Sequence, residues 1–155
     1  MQSDISWAEV ECLFSKVQQV AVGTIDEDGF PRISPIGSVH FPAERQGYYF
    51  EKFPQQMRTN LDRDSRMSMM AVQPGPLFWM KSLWKGKFLA QPALRLVCEA
   101  GKRRTANPDE IDLWLAKVRP FRFLKGHDML WKGMSEVREF RVLRVEAVEL
   151  GRMNP

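Results

Sequence analysis

Lys52, Gln55, Gln56 and Arg58 stand close together, and Pro54 can open a short helix among them. Two carboxamides, an ammonium and a guanidinium beside the unpaired N–H groups of a helix start have the chemistry of an anion cradle. Taken alone, the same residues read as an ordinary polar helix face. Trp79, Trp84 and Trp131 can supply a flat apolar wall to a ligand, though packing in a core or an interface is the plainer role for any one of them. Lys81, Lys85, Lys132 and Arg138 are candidates to face a bound ring or a substrate anion by Coulomb attraction, and each by itself reads as solvated surface.

Other chemistries find no support. His40 and His127 are far apart and have no nucleophile context, so no catalytic triad is expected. Together with Cys12 and Cys98 they lack metal-ligand spacing, and no metal is expected. The two cysteines read as reduced, semi-buried thiols of a cytoplasmic protein. Glycine-rich dinucleotide and phosphate-loop motifs are absent. No apolar run reaches the roughly 18–20 residues that span a bilayer, and the acidic N-terminus does not resemble a signal peptide.

The elements that would position these side chains are legible in outline. At 155 residues, 44% hydrophobic and 27% charged, the chain is expected to fold as one globular domain over residues 1–155. Ser6 and Glu9 have capping-box spacing, and Trp7, Val10, Phe14 and Val17 repeat at helical intervals, which predicts a helix from Trp7 to Lys16. Val20, Val22 and Thr24 alternate as in a strand, and Asp26–Gly29 is hairpin chemistry. A second strand is expected from Arg32 to Phe41, with Pro35 marking an edge, a bulge or a special backbone site. A third follows Gly47, then a short helix over Gln55–Arg63. Met67–Val72 is apolar almost throughout and predicts a strand buried on both faces. Leu77–Phe88 is strongly aromatic and is assigned to no element. A fifth strand carries Leu94, Leu96, Cys98 and Ala100. Asn107-Pro108-Asp109-Glu110 starts a helix that Pro120 ends, and Phe121–Met134 reads as irregular. The last strand, Val137–Glu149, loses its alternation at Val142-Leu143, where a bulge is expected. About six strands with short helices imply a mainly β (α+β) antiparallel barrel.

The order strand, acidic-Gly turn, strand, short third strand and short helix is carried by Val20–Gly37, Gly47–Lys52, Met57–Leu61 and Arg66–Met70, with Phe140–Met153 as a closing strand. This arrangement resembles the pyridoxamine-5′-phosphate-oxidase-like split β-barrels. The resemblance implies a homodimer with FMN sites between the subunits. It places Ser34, Pro35 and Ile36 along the flavin ring, Glu51 and Lys52 at the strand end, and Gln55, Gln56 and Met57 at the phosphate, flanked by Arg58. Firm FMN binders of this kind often carry a basic set such as Ser-Arg-Lys where Gln55-Gln56-Met57 stands, so the phosphate is expected to be held by less charge here. The family's Arg-rich terminal substrate motif has no counterpart in Gly151–Pro155, which argues against pyridoxamine phosphate as substrate.

The resemblance implies an FMN-dependent oxidoreductase acting on a small molecule through flavin N5. The competing reading is a non-catalytic binder or sensor of a flavin, deazaflavin or haem on the same fold. A net charge of +4 and a pI of about 9.3, with pairs such as Trp84-Lys85, have the chemistry of nucleic-acid stacking, but no binding motif accompanies them.

Overall fold

The computed structural model describes residues 5–52, 55–131 and 133–153. Pro54, expected at a helix start, and Lys132, expected near a ring, lie outside them. Helix α1 (Trp7–Lys16) begins with the expected capping box. Ser6 Oγ accepts from the Glu9 amide at 3.3 Å, and Glu9 Oε2 accepts from the Ser6 amide at 2.9 Å. The remaining elements are β1 (Val20–Ile25), β2 (Pro31–Ile36), β3 (His40–Ala43), β4 (Gln46–Phe50), α2 (Gln55–Arg63), β5 (Arg66–Val72), α3 (Pro76–Lys85), β6 (Ala93–Thr105), α4 (Pro108–Val118), α5 (His127–Trp131) and β7 (Glu136–Ala147).

The strands form one antiparallel sheet in the order β2-β1-β5-β6-β7-β4-β3. It has seven strands, not about six, because the expected strand Arg32–Phe41 breaks at Gly37. Its halves, β2 and β3, lie at opposite edges of the sheet. The break has one local cause, Pro35, and two that other parts of the chain supply. Pro35 offers no N–H to a ladder, which suits an edge strand. A Cβ on Gly37 would lie 3.1 Å from the Gln18 carbonyl oxygen, so the chain passes close there. Ser38 Oγ then accepts the Phe50 amide at 3.0 Å, and a side chain stands in for a ladder bond.

Two further expectations are corrected. Met67, Met69 and Ala71 are buried, but Ser68 and Met70 are only half-buried and Val72 is exposed, so β5 has one deep face rather than two. The unassigned aromatic stretch is largely helix α3, with Pro76 at its start and Gly86 in the left-handed region at φ 64° just past its end. The segment read as irregular, Phe121–Met134, begins on the last residue of a short helical turn, Arg119–Phe121, and contains α5. The bulge expected at Val142-Leu143 is present: Val97 pairs with Arg144 and Cys98 with Val142, leaving Leu143 between them.

The main core packs α1 and α2 against one sheet face through Val10, Leu13, Phe14, Met57, Leu61, Met69 and Leu96. Strand β4 is buried on both faces. Tyr49 joins the main core, whereas Tyr48 and Phe50 meet Trp114 and Val118 of α4 in a second cluster. Gly47 is required between them, since a Cβ there would fall 2.3 Å from the Phe140 ring. No helix among the described residues is long and apolar enough to cross a membrane.

Candidate functional site

The break between β2 and β3 forms one wall of a cavity of about 390 Å³. Pro35, Ile36, Gly37 and Ser38 line this wall, and Phe50 lines the floor beside them. The opposite wall comes from α4, through Trp114, Lys117 and Val118, and from Phe121, Leu130 and Trp131. Helix α4 is set for this by its start. Asn107 Oδ1 accepts the Glu110 amide at 2.9 Å, and Glu110 Oε2 accepts the Asn107 amide at 3.0 Å. The Arg104 guanidinium, hydrogen-bonded to Glu110, holds that carboxyl below its usual value and ties α4 to β6.

The walls are aromatic. Phe50 and Trp114 have ring centroids 5.9 Å apart, as do Phe121 and Trp131, and His127 stands edge-on to Trp131 at 5.3 Å. Lys117 Nζ lies 6.0 Å from the centroid of the Trp114 ring and donates to the Gly37 carbonyl at 3.4 Å. Lys117 is exposed overall, and partial desolvation against the protein lowers the pKa of its ammonium. Trp114 Nε1 and His127 Nε2 are buried and have no hydrogen-bond partner among the described residues.

A second polar cluster lies where β4 hands over to α2. Glu51 and Arg138 are both buried, and Arg138 Nε donates to Glu51 Oε1 at 2.6 Å. Arg138 also donates to Asp62 Oδ1 at 2.6 Å, which lowers the pKa of that carboxyl. Arg103 Nη1 stands 3.8 Å from Glu51 Oε2 and 3.7 Å from Asp62 Oδ2. Arg58 Nη1 stands 3.8 Å from Glu136 Oε2. The three arginines here are thus met by the three carboxylates Glu51, Asp62 and Glu136.

The residues singled out from sequence separate into groups. Pro35, Ile36 and Trp131 line the cavity. Ser34, half-buried, sits one position before them on β2. Glu51 and Arg138 form an internal ion pair, so Arg138 does not face an open site as expected. Met57 is 2% exposed and belongs to the main core, so only its backbone is available to an anion. Gln55 is exposed at the start of α2, Gln56 donates to Asn60 Oδ1 at 3.0 Å, and Lys52 is half-buried at the end of β4. Trp79 Nε1 donates to the Gln73 carbonyl at 3.1 Å, and its ring packs on Phe78 and Phe88, away from the cavity. Trp84, on α3, is 91% exposed. Lys81 and Lys85 are exposed on the same helix.

Sequence reading missed Trp114 and Lys117. Trp114 sits in an apolar i, i+3, i+4, i+7 stripe that signals core packing, and Lys117 sits in a basic run that signals solvent. Nothing in their spacing tells that α4 lies across the β2–β3 break.

The family model described as pyridoxamine 5′-phosphate oxidase matches residues 6–151. No curated protein matches the sequence. Among solved structures, an FMN-binding protein from Syntrophomonas wolfei superposes with a TM-score of 0.64 at 10% identity, over 94% of this chain and 88% of that one. Group A Streptococcus HupZ gives a TM-score of 0.59 at 17% identity, covering 94% and 99%. An F420 reductase gives 0.58 at 12% identity, covering 88% and 94%. At such identities the likeness is one of fold, a split-barrel arrangement of the antiparallel sheet with flanking helices. The family match, running through nearly every element that builds the cavity, carries more: this chain belongs to the pyridoxamine 5′-phosphate oxidase family.

Proposed function

We propose that the chain binds a flavin, FMN in the first instance, with the ring in the cavity between the β2–β3 break and α4, and serves as an oxidoreductase for a small molecule. The observation that carries this reading is the aromatic cavity itself, lined by Phe50 and walled by Pro35–Ser38 on one side and by Trp114 and Trp131 on the other. Its volume is in the range of small-molecule sites. A bound flavin would supply hydride or electron exchange at N5. The protein's part is to seat the ring against the Pro35–Gly37 backbone, to exclude water with the aromatic wall, and to hold the phosphate from Lys52, Gln55 and Gln56.

The ring end fits the residues present better than the phosphate end. Arg58, Arg103 and Arg138 are each matched by a carboxylate, so the phosphate meets little net positive charge from them. That observation favours a second reading, a non-catalytic binder or sensor that grips the ring system of a flavin, deazaflavin or haem. FMN should accordingly bind only modestly more tightly than riboflavin. The thiols are not both half-buried as expected: Cys12 is exposed and Cys98 buried, and their use as free thiols supports placing the protein in a reducing cytoplasm.

The flavin reading is tested by titrating the purified protein with FMN while following tryptophan quenching and flavin absorbance. Saturable quenching, weakened about tenfold in Trp131→Ala through lost stacking, supports it. Absence of both quenching and a shifted flavin band removes it.

A homodimer is part of the same proposal. Helix α3 turns Leu77, Met80, Leu83 and Trp84 to solvent, at 65%, 64%, 66% and 91% exposure. An apolar stripe of that kind is seldom left in water.

A further inference from the structure

We infer that Lys117 makes the cavity selective for planar aromatic ligands that turn an anionic or strongly accepting edge toward its ammonium. This rests on the same cavity as the flavin reading and names the ligand class that the cavity prefers.

Among the described residues lining the cavity, Lys117 is the sole charged side chain; no carboxylate and no arginine accompanies it. The polar groups around it include the Gln18 and Gln19 carboxamides, which can donate or accept, and the Ser38 hydroxyl. Trp114 is 7% exposed and offers the cavity its ring, since its indole N–H is buried and without a partner among the described residues. Ser38 Oγ already accepts the Phe50 amide, which leaves its hydroxyl hydrogen to give. The Gly37 carbonyl, the nearest acceptor to Lys117, is engaged at 3.4 Å, a long contact for a charged donor. Lys117 is exposed at the rim, and an ammonium beside aromatic rings with no carboxylate on the same cavity lining is an arrangement that an anionic ligand edge completes. The rings of Phe50, Trp114 and Trp131 require the rest of that ligand to be flat and apolar. For a flavin, the edge that meets this description is N1 and the C2 carbonyl. Lys81, Lys85 and Arg138, the cations that sequence spacing nominated for such a role, line no part of this cavity.

The test compares two probes that share a ring system, 8-anilinonaphthalene-1-sulfonate and the uncharged N-phenyl-1-naphthylamine, by probe fluorescence. Wild type, Lys117→Met and Lys117→Arg are titrated, with thermal midpoints to establish that all are folded. The wild type should prefer the sulfonate. Lys117→Met should lose about tenfold in sulfonate affinity, the scale of a charge-assisted contact, with the neutral probe unchanged. Lys117→Arg should keep the preference. An unchanged sulfonate affinity in Lys117→Met, an equal loss for both probes, or a wild type that binds neither probe overturns the assignment. FMN and riboflavin are titrated alongside, and a Lys117 that faces the ring edge should cost both by the same factor. A protein that binds neither flavin yet keeps the charge-dependent sulfonate preference loses the flavin reading and retains Lys117 as the selecting group.

Discussion

Glu51 is where sequence and structure part most clearly at the level of single residues. A carboxylate at the end of a strand next to a presumed phosphate cradle invites a ligand role, but it is 5% exposed and committed to Arg138, itself 3% exposed. Breaking such a pair strands a charge in a poorly solvated site, so Arg138→Met should destabilise the fold by about 3–5 kcal/mol. Chemical denaturation measures this. The double variant Glu51→Gln, Arg138→Met should recover part of the loss, because neither charge is then left alone. Full stability in Arg138→Met would mean that water or another group satisfies Glu51. Met57 follows the same logic: the helix that could present it to a phosphate turns its side chain into the main core instead.

The β1–β2 hairpin shows how one side chain can fix an element. Asp26 is 3% exposed. Its Oδ1 accepts the amides of Asp28 at 3.0 Å and Phe30 at 2.9 Å, and its Oδ2 accepts Arg32 Nε at 2.7 Å. Gly29 supplies the φ of 83° that the turn requires. The Arg32 hydrogen bond, together with these amides, holds the carboxyl below the ordinary value of 3.8. A carboxyl depressed in the folded state stabilises it fully above the unfolded value, and that contribution is lost as pH falls through the folded one. Thermal midpoints measured across about pH 2 to 6 should therefore fall toward the acid end, and less steeply in Asp26→Asn, which titrates no proton there. Parallel pH profiles for the two proteins would show that Asp26 is not the group responsible. Since β2 leads directly into the cavity wall at Pro35, loosening this hairpin should also weaken ligand binding at neutral pH.

For the whole molecule the telling feature is α3, which exposes Leu77, Met80, Leu83 and Trp84. The helix has no extensive packing onto the sheet; Trp79 Nε1 donates to the Gln73 carbonyl at 3.1 Å, and the Phe88 amide just past the helix donates to the Met153 carbonyl at 2.8 Å. If the exposed stripe meets a second copy, the wild type should sediment as a dimer and Trp84→Glu, which sets a carboxylate in the apolar contact, should shift it to monomer with the fold intact. A wild type that is monomeric at every concentration would remove the dimer from the proposal.

What the sequence by itself determined is local. The capping box at Ser6, the helix start at Asn107, the bounds of α1 and α2, the Asp26 turn and the bulge at Leu143 each depend on neighbours along the chain or on strand alternation, which spacing records. The order of these elements was also enough for the family resemblance. The tertiary structure decided what depends on distant parts of the chain meeting. It split Arg32–Phe41 into two edge strands, because Gly37 must pass close to Gln18 and Ser38 must reach Phe50. It drew Glu51 and Arg138 into an ion pair across 87 positions of sequence. It also brought Lys117 to Gly37 across 80 positions, turning a lysine in a basic run into the one charged group on an aromatic cavity wall among the described residues. Periodicity reports which face of an element is apolar; which other face it meets is settled only when the sheet is assembled.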